Sequence, residues 1–206
     1  MSILVYVGAN RGISLSRVFR DYDYVYAFEP DPELFIELYK SYSTYPWVTL
    51  VNAACSTYAG REDFYIYPNR VSSSLAPVAD GIPTDELLAK TEVNVINLFD
   101  YLLERRINYI DYLVSDCQGS DLTILKTLKP LINSKSINRI MVETHNSNKD
   151  LYSGLSNGFD GFKTLLEANY EIEHVYLGRL DGQEVLESEI PHDEYEWDTV
   201  WKVKDA

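Results

Sequence analysis

The sequence has little of what several function classes require. Only two of its 206 residues are cysteines, and Cys55 and Cys117 stand in separate segments without the spacing of a metal or redox site. We therefore expect free, buried thiols in a reducing compartment. No apolar run approaches the roughly 20 residues that a membrane-spanning helix needs. Because the first predicted strand begins at residue 3, no signal peptide precedes it, and we expect a soluble cytoplasmic protein.

Basic residues are also scarce, with 18 Lys and Arg against 32 Asp and Glu and a net charge of −14. Nucleic acids and anionic lipid surfaces are bound by clustered Lys and Arg, and no such cluster is present, so we expect neither partner. The acidic surface suits a neutral or cationic small molecule. A hydrophobic fraction of 46% over this length predicts a single domain spanning residues 1–206.

Apolar strands alternate with helical spacings along the chain, which is the signature of an α/β fold with a mostly parallel sheet covered on both faces. The main strands are predicted at 3–7, 24–28, 48–52, 110–114, 139–143, 170–177 and 199–203, and a further alternating strand at 63–67. Helices are predicted at 11–20, 32–42, 98–106, after Gly119 and at 162–168. No helix fits between the last two strands, so they should be antiparallel. Irregular stretches at 68–92 and 146–161 are predicted to be working loops around the acceptor site.

The first strand runs directly into a glycine turn, and the second strand ends in Glu29. Small residues in such a turn let the backbone approach a ligand, although a glycine there also serves plain packing. A carboxylate at the end of the next strand can hold a ribose diol. The segment therefore predicts a nucleotide-type site.

Polar or small residues end all five of the first parallel strands. In an open α/β sheet, ligands bind outside the carboxyl ends of the strands, so these residues are the site candidates. A carboxylate buried there is costly unless it binds a ligand or caps a helix. The candidates are Gly8 to Gly12, Glu29, Asn52 to Ala54, Ser115-Asp116 and Glu143 to His145.

Five short motifs occur in an order that resembles the FkbM family of methyltransferases. They are V-G-A-N-R-G at 7–12, A-F-E-P at 27–30, N-A-A at 52–54, D-C-Q-G at 116–119 and V-E-T-H at 142–145. The resemblance covers about residues 3–146. It implies a Rossmann-like class I methyltransferase fold, here with a seven-stranded, mostly parallel sheet and an antiparallel C-terminal hairpin. It also implies S-adenosylmethionine as donor and a hydroxyl of a sugar, a glycan or a glycosylated natural product as acceptor.

The resemblance also implies residue roles. The cofactor would be bound by Gly8, Ala9, Asn10, Gly12, Glu29, Pro30, Asn52, Ala53 and Asp116. The substrate would meet Ser73, Ser74 and Asn146, and the catalytic residues would be Asp116, Glu143 and His145. Either Asp116 or His145 would remove the hydroxyl proton. If Mg²⁺ or another divalent cation is used, Asp116 and Glu143 would be its ligands.

The chain departs from the family pattern at three positions. Tyr6 stands where an acid is usual, Val114 where a lysine is usual, and Gln118 where a glutamate is usual. Two other functions therefore stay open. One is an NAD(P)-dependent oxidoreductase that uses Glu29 on the ribose, although the G-x-G-x-x-G spacing is missing. The other is a non-catalytic binding module derived from a methyltransferase. For the methyltransferase itself, a second copy of the chain in a homodimer, rather than the two loops alone, could complete the acceptor site.

Overall fold

The computed structural model describes residues 1–147, 150–177, 183–191 and 194–205, which form two β-sheets and the helices packed on them. The strands are β1 (Ile3–Val7), β2 (Tyr24–Phe28), β3 (Val48–Val51), β4 (Ala54–Ser56), β5 (Gly60–Ile66), β6 (Ala89–Asn97), β7 (Ile110–Ser115), β8 (Ile137–His145), β9 (Tyr170–Leu177), β10 (Gln183–Val185) and β11 (Glu196–Val203). The α-helices are α1 (Pro32–Tyr42), α2 (Leu98–Glu104), α3 (Asp121–Thr127), α4 (Lys129–Asn133) and α5 (Phe159–Leu166).

The larger sheet has the strand order β10-β9-β11-β8-β7-β1-β2-β3. Its centre is parallel, whereas β11 lies between β8 and β9 and is antiparallel to both. The predicted antiparallel pairing of the last two main strands is therefore confirmed. The described sheet has eight strands rather than seven, because β10 adds to the outer edge of β9.

The order of the chain reverses at β1, which has β2 on one side and β7 on the other. This is the switch point at which open α/β sheets bind ligands. Alternate residues of β1 face opposite layers: Val5 packs in a core with Leu113, and Leu4 packs in a second core with Val25. Strands buried on both faces explain the continuous apolar runs in the sequence.

The helix predicted at 11–20 is wrong. The segment instead forms two 3₁₀ turns, Leu15–Arg17 and Phe19–Asp21, closed by hydrogen bonds over three residues. Leu15 and Phe19 are buried as the spacing indicated. Serine hydroxyls compete with a regular helix here, since the Ser16 hydroxyl donates to the carbonyl of Ile13 (2.6 Å).

A smaller sheet of order β4-β6-β5 lies beside the main one. Of this sheet the sequence predicted only β5, at 63–67, and it assigned the start of β6 to an irregular stretch. Val93 and Val95 of β6 are buried while Asn94 between them is exposed, so the alternation is present but short. No helix among the described residues is long and apolar enough to cross a membrane.

Candidate functional site

A cavity of about 540 Å³ opens at the carboxyl ends of the parallel strands. Its walls include Gly8 after β1, Glu29 after β2, Asp116 after β7 and Glu143 on β8. The volume lies in the range of small-molecule and cofactor sites. These four strand-end residues, which the sequence singled out, all line this one cavity.

The glycine turn is tied to the end of β2. The backbone N–H groups of Gly8 and Ala9 both donate to the carbonyl of Phe28 (3.1 and 2.9 Å). Gly8 has a φ of +81°, and a Cβ on it would lie 2.0 Å from the carbonyl oxygen of Asp116. Glycine is thus required at this position by the neighbouring strand β7 as well as by the cavity that it lines.

Two predicted cofactor residues lie outside the cavity wall. A Cβ on Gly12 would meet the rings and side chains of α1, 2.4 Å from Tyr42, and the Tyr42 hydroxyl donates to the Gly12 carbonyl (2.5 Å). The Asn52 side-chain amide donates to the carbonyls of Glu29 and Pro30 (2.8 and 3.2 Å). Gly12 and Asn52 therefore shape the turns that carry cavity residues, while Ala9, Asn10, Pro30 and Ala53 line the cavity itself.

Glu29 is buried at the cavity wall and holds two backbone segments together. One carboxylate oxygen accepts from the N–H of Asn10 (2.7 Å) and the other from the N–H of Asp31 (2.8 Å). Burial raises the pKa of Glu29 to about 7, although the hydrogen bonds from the two N–H groups act in the opposite direction and lower it. Each oxygen keeps a second lone pair with which it can accept a hydroxyl from a ligand.

Gln118 joins the two acids predicted at the acceptor side. Its amide nitrogen donates to Asp116 (2.8 Å) and to Glu143 (2.6 Å), and its amide oxygen accepts from the hydroxyl of Tyr152 (2.6 Å). The position that departs from the family pattern thus bridges the acids. An ion shared by Asp116 and Glu143, as the sequence suggested, would have to displace this amide.

Three non-glycine residues that line the cavity have a strained backbone conformation. They are Gln118, Asn10 and Arg70, and all three have a left-handed φ, of 52°, 51° and 60°. Such conformations cost energy in non-glycine residues and concentrate at functional sites.

The wall of the cavity formed at the ends of β7, β8 and β11, here called the far wall, carries several carboxylates. Asp116 and Glu143 are joined there by Glu196 and Asp198 of β11. Burial, followed by the negative charges of Asp116, Asp121, Glu196 and Asp198, holds the pKa of Glu143 well above its usual range. Tyr6 lines the same wall, and burial raises the pKa of its phenol, which stays neutral beside the acids.

His145 lies behind this wall rather than on it. Its side chain is only 1% exposed, its Nε2 is 3.3 Å from Oε2 of Glu143, and its Nδ1 has no hydrogen-bond partner among the described residues. Burial lowers the pKa of His145 to about 4. The imidazole is therefore a weaker base than usual, and it does not reach the cavity that Asp116 faces.

The two predicted loops pack on each other over the cavity. The backbone of Val78 pairs with that of Tyr152, and the N–H of Ala79 donates to the carbonyl of Leu151 (2.9 Å). Ala76, Leu151 and Tyr152 form a small apolar cluster at this junction. Residues 148 and 149 of the second loop lie outside the described residues.

The predicted substrate residues have different positions in these loops. Ser73 lines the cavity. Ser74 is buried, and its hydroxyl donates to the backbone carbonyl of Gln118 (2.6 Å), so it anchors the loop to the end of β7. Asn146 is not among the residues that line the cavity, and its N–H donates to the carbonyl of Tyr195 (3.1 Å).

Arg70 clamps the first loop to the cofactor side. Its guanidinium contacts Asp31 (2.5 Å) and Glu33 (2.6 Å), and its side chain is 15% exposed. Asp31 is also the N-cap of α1, where it accepts from the N–H groups of Glu33 and Leu34. The ion pairs of Arg70 therefore fix the position of the first loop relative to the segment that carries Glu29.

Sequence reasoning missed Arg70, Tyr152, Glu196 and Asp198 as cavity residues. The first two lie in stretches without periodicity, so no local pattern marks them. The acids of β11 alternate around Trp197, which indicates a strand, but only the register with β8 shows that they face Glu143 and His145.

Replacing Tyr152 by phenylalanine should lower stability by about 1 kcal/mol, because one buried hydrogen bond to the Gln118 amide is lost. In a chain of this size that corresponds to a Tm lower by about 2–4 °C in thermal unfolding. Tyr58→Phe is the matched control, since the Tyr58 hydroxyl is exposed and its bond is long (3.5 Å). Equal Tm values for the two variants would show that the Tyr152 hydroxyl does not hold Gln118.

A family model described as the methyltransferase FkbM domain matches residues 7–172 of the chain. Among solved structures, an rRNA methylase from Streptococcus thermophilus has a TM-score of 0.54 at 11% identity, covering 99% of this chain and 87% of that one. The protein SMU.1697c from Streptococcus mutans, in complex with S-adenosylhomocysteine, has a TM-score of 0.51 at 10% identity, covering 99% and 89%.

A third structure, TrmK from M. capricolum with S-adenosylhomocysteine, has a TM-score of 0.48 at 12% identity, and the chain covers 62% of its length. No curated protein sequence matches the chain. At these identities the likeness to the first two structures is one of fold, and it agrees with the α/β sheet predicted from the sequence.

Proposed function

The chain belongs to the FkbM family of methyltransferases, and we propose that it transfers a methyl group from S-adenosylmethionine to a hydroxyl of a sugar, a glycan or a glycosylated natural product. The observation that carries the proposal is the single cavity. The glycine turn and Glu29 line the cavity on the side of β1 and β2, Glu143 lines it on the side of β8, and Asp116, after β7, lies between them. Donor and acceptor can therefore meet in one enclosed space.

The cofactor would lie along the cavity side formed by β1 and β2. Gly8 to Asn10 would face its methionine part, Glu29 its ribose hydroxyls, and Pro30 and Ala53 its adenosine end. S-adenosylmethionine carries positive charge on its sulfonium and its amine. The carboxylates of the far wall favour such a ligand by simple attraction.

The chemical step is an in-line displacement at the methyl carbon. The donor is already activated, so the protein mainly has to hold the acceptor oxygen behind the methyl group. A sugar hydroxyl is scarcely ionised at neutral pH and must lose its proton as the bond forms. We assign this base role to Asp116 rather than to His145, because Asp116 lines the cavity while His145 is buried behind it and has a lowered pKa.

Gln118 and Tyr152 would position the base. The Gln118 amide donates to Asp116, which fixes the direction of that carboxylate, and the Tyr152 hydroxyl fixes the amide. Ser73 and the loop segments above it would contact the acceptor. Family membership favours methyl transfer over the hydride transfer of an NAD(P)-dependent oxidoreductase.

The test is calorimetric titration with S-adenosylhomocysteine, with NAD as the comparison ligand. We expect saturable 1:1 binding of S-adenosylhomocysteine and none of NAD. If S-adenosylhomocysteine binds, protein free of this ligand would then be supplied with S-adenosylmethionine that carries a labelled methyl group and screened against sugar and glycoside acceptors. Absence of binding to either ligand would favour the non-catalytic module, and binding of NAD alone would refute the proposal.

Affinity for S-adenosylhomocysteine should fall as the pH is lowered through 7. The pKa of Glu29 is raised to about 7, so its carboxylate is largely protonated at pH 6 and loses acceptor capacity toward the ribose hydroxyls. Linkage then predicts binding about tenfold weaker at pH 6 than at pH 8. The measurement is the Kd from calorimetry across this range.

Glu29→Gln should bind more weakly at pH 8 and should lose most of this pH dependence. The control is Glu104→Gln, an exposed glutamate at the end of α2, which should retain the native profile. A native protein whose affinity is constant from pH 6 to pH 8 would contradict the role of Glu29 at the ribose.

A further inference from the structure

Four polar side chains form a two-by-two array where β8 and β11 pair. His145 lies opposite Glu196, and Glu143 lies opposite Asp198. Directly opposite residues of antiparallel strands project from the same face, and side chains two apart in one strand do as well. Glu143, Glu196 and Asp198 also line the cavity, so the array borders its acceptor side.

Three members of the array bring donor atoms close together. One ligand atom each from Glu143, His145 and Glu196 lies within 4.8 Å of the other two. Donors bound to one ion at about 2.1 Å are separated by roughly 3–4 Å. Binding of one ion would therefore require the three donor atoms to move closer together, and Glu196, the exposed member, is the side chain with most room to do so.

The two carboxylate oxygens of Glu143 face different neighbours. Its Oε1 accepts from the Gln118 amide (2.6 Å), which directs Oε2 toward the imidazole of His145 (3.3 Å). An ion held by Oε2 therefore leaves the Gln118 bridge to Asp116 intact. This distinguishes the arrangement from an ion between Asp116 and Glu143.

His145 provides an independent indication of a ligand. Its side chain is 99% buried, its Nε2 is directed at Glu143, and its other ring nitrogen has no hydrogen-bond partner within the part of the chain that the structure describes. A buried imidazole that makes one long contact is poorly satisfied. The backbone N–H of His145 donates to the carbonyl of Asn157 (2.8 Å), and its ring stacks near Tyr152, so the position of the imidazole is fixed by its neighbours.

We propose that Glu143, His145 and Glu196 bind one divalent transition-metal ion at the acceptor end of the cavity, where Glu143 and Glu196 line the wall and His145 lies directly behind it. One imidazole nitrogen and two carboxylates suit Mn²⁺ or Zn²⁺ better than Mg²⁺, which prefers oxygen ligands alone. Water molecules would complete the coordination.

The consequence for the reaction rests on the proposed function. An ion in this position can hold two neighbouring hydroxyl oxygens of an acceptor, which would favour sugars with a vicinal diol over acceptors with a single hydroxyl. The ion would orient the acceptor, and Asp116 would remain the base.

The experiment is titration of chelator-treated protein with Mn²⁺ in the absence of any cofactor, followed by calorimetry and by the electron paramagnetic resonance signal of free Mn²⁺. Mn²⁺ is chosen because the thiols of Cys55 and Cys117 compete for it less than for Zn²⁺. We expect one ion per chain, with affinity lowered at least tenfold in both Glu196→Gln and His145→Gln. Glu196 is exposed, so its variant should fold even if the histidine variant does not.

Glu184→Gln is the matched control, because Glu184 forms the other close glutamate–histidine pair of the described chain, with His174 (2.6 Å), outside the cavity. It should leave Mn²⁺ binding unchanged. No binding by native protein up to about 1 mM, the range of weak protein sites, or equal binding by Glu196→Gln would overturn the site. Because S-adenosylhomocysteine is titrated separately, loss of cofactor binding with retained Mn²⁺ binding would refute the proposed function alone.

Discussion

An Asp116→Asn variant is expected to bind S-adenosylhomocysteine within about threefold of the native affinity and to lose methyl transfer by roughly 10²–10⁴-fold, the usual contribution of a general base. Asparagine keeps an oxygen that can accept from the Gln118 amide, so the bridge to Glu143 should survive. What it lacks is the ability to take a proton from the acceptor hydroxyl. The fold and the cofactor side of the cavity should therefore be unchanged while the chemical step is lost.

The measurement compares cofactor Kd, Tm and turnover of the acceptor identified by screening. Asp85→Asn is the control, because Asp85 is exposed in the first acceptor loop and does not line the cavity. It should show native turnover. A fully active Asp116→Asn variant would remove Asp116 from the reaction, and joint loss of binding and turnover would make it a cofactor residue instead.

Gly8→Ala is expected to be the most destabilising single-methyl change at the site. A Cβ there would lie 2.0 Å from the carbonyl oxygen of Asp116, and the backbone has a φ of +81°. Left-handed backbone alone costs a non-glycine residue about 1–2 kcal/mol. Relief of the contact must in addition separate β1 from β7, so we expect a loss of about 3 kcal/mol or more.

Gly81→Ala separates these two contributions. Gly81 has nearly the same φ, +82°, but a Cβ on it would have no atom within 4 Å. In a chain of this size, about 1 kcal/mol corresponds to 2–4 °C in Tm, so Gly81→Ala should lower Tm by a few degrees and Gly8→Ala by at least twice as much. Equal shifts would show that strain in φ, and not contact with β7, is what requires glycine. Gly8→Ala should also abolish binding of S-adenosylhomocysteine, which Gly81→Ala should retain.

Local pattern predicted the elements of the parallel core well. The bounds of β1, β2, β9 and α1 are those expected from the sequence. Each is a continuous apolar or amphipathic run that ends at residues with a strong local preference, such as the Asp31 cap and Pro32 at the start of α1. The helix predicted at 11–20 did not form, because the apolar spacing fits a 3₁₀ turn as well as a helix and the Ser16 hydroxyl bonds to the backbone.

The candidate site was predicted as a set of strand ends but not as an arrangement. Glu29, Asp116 and Glu143 were expected at one edge because parallel strands end together, and they do line one cavity. Gln118 was a departure from the family pattern that left a non-catalytic binding module open. It instead donates to both acids, which no pattern around residue 118 could indicate, since Glu143 is 25 residues away.

The sequence by itself determined the order of the main strands, the parallel core and the positions of acids at strand ends, because the period of burial and the turn residues are local properties. Only the tertiary structure decided that Ser74 and Tyr152 from separate loops converge on Gln118. It likewise decided that the register of β11 places Glu196 opposite His145. These contacts depend on strand register and on packing between distant segments, and such long-range geometry leaves no periodic trace in the chain.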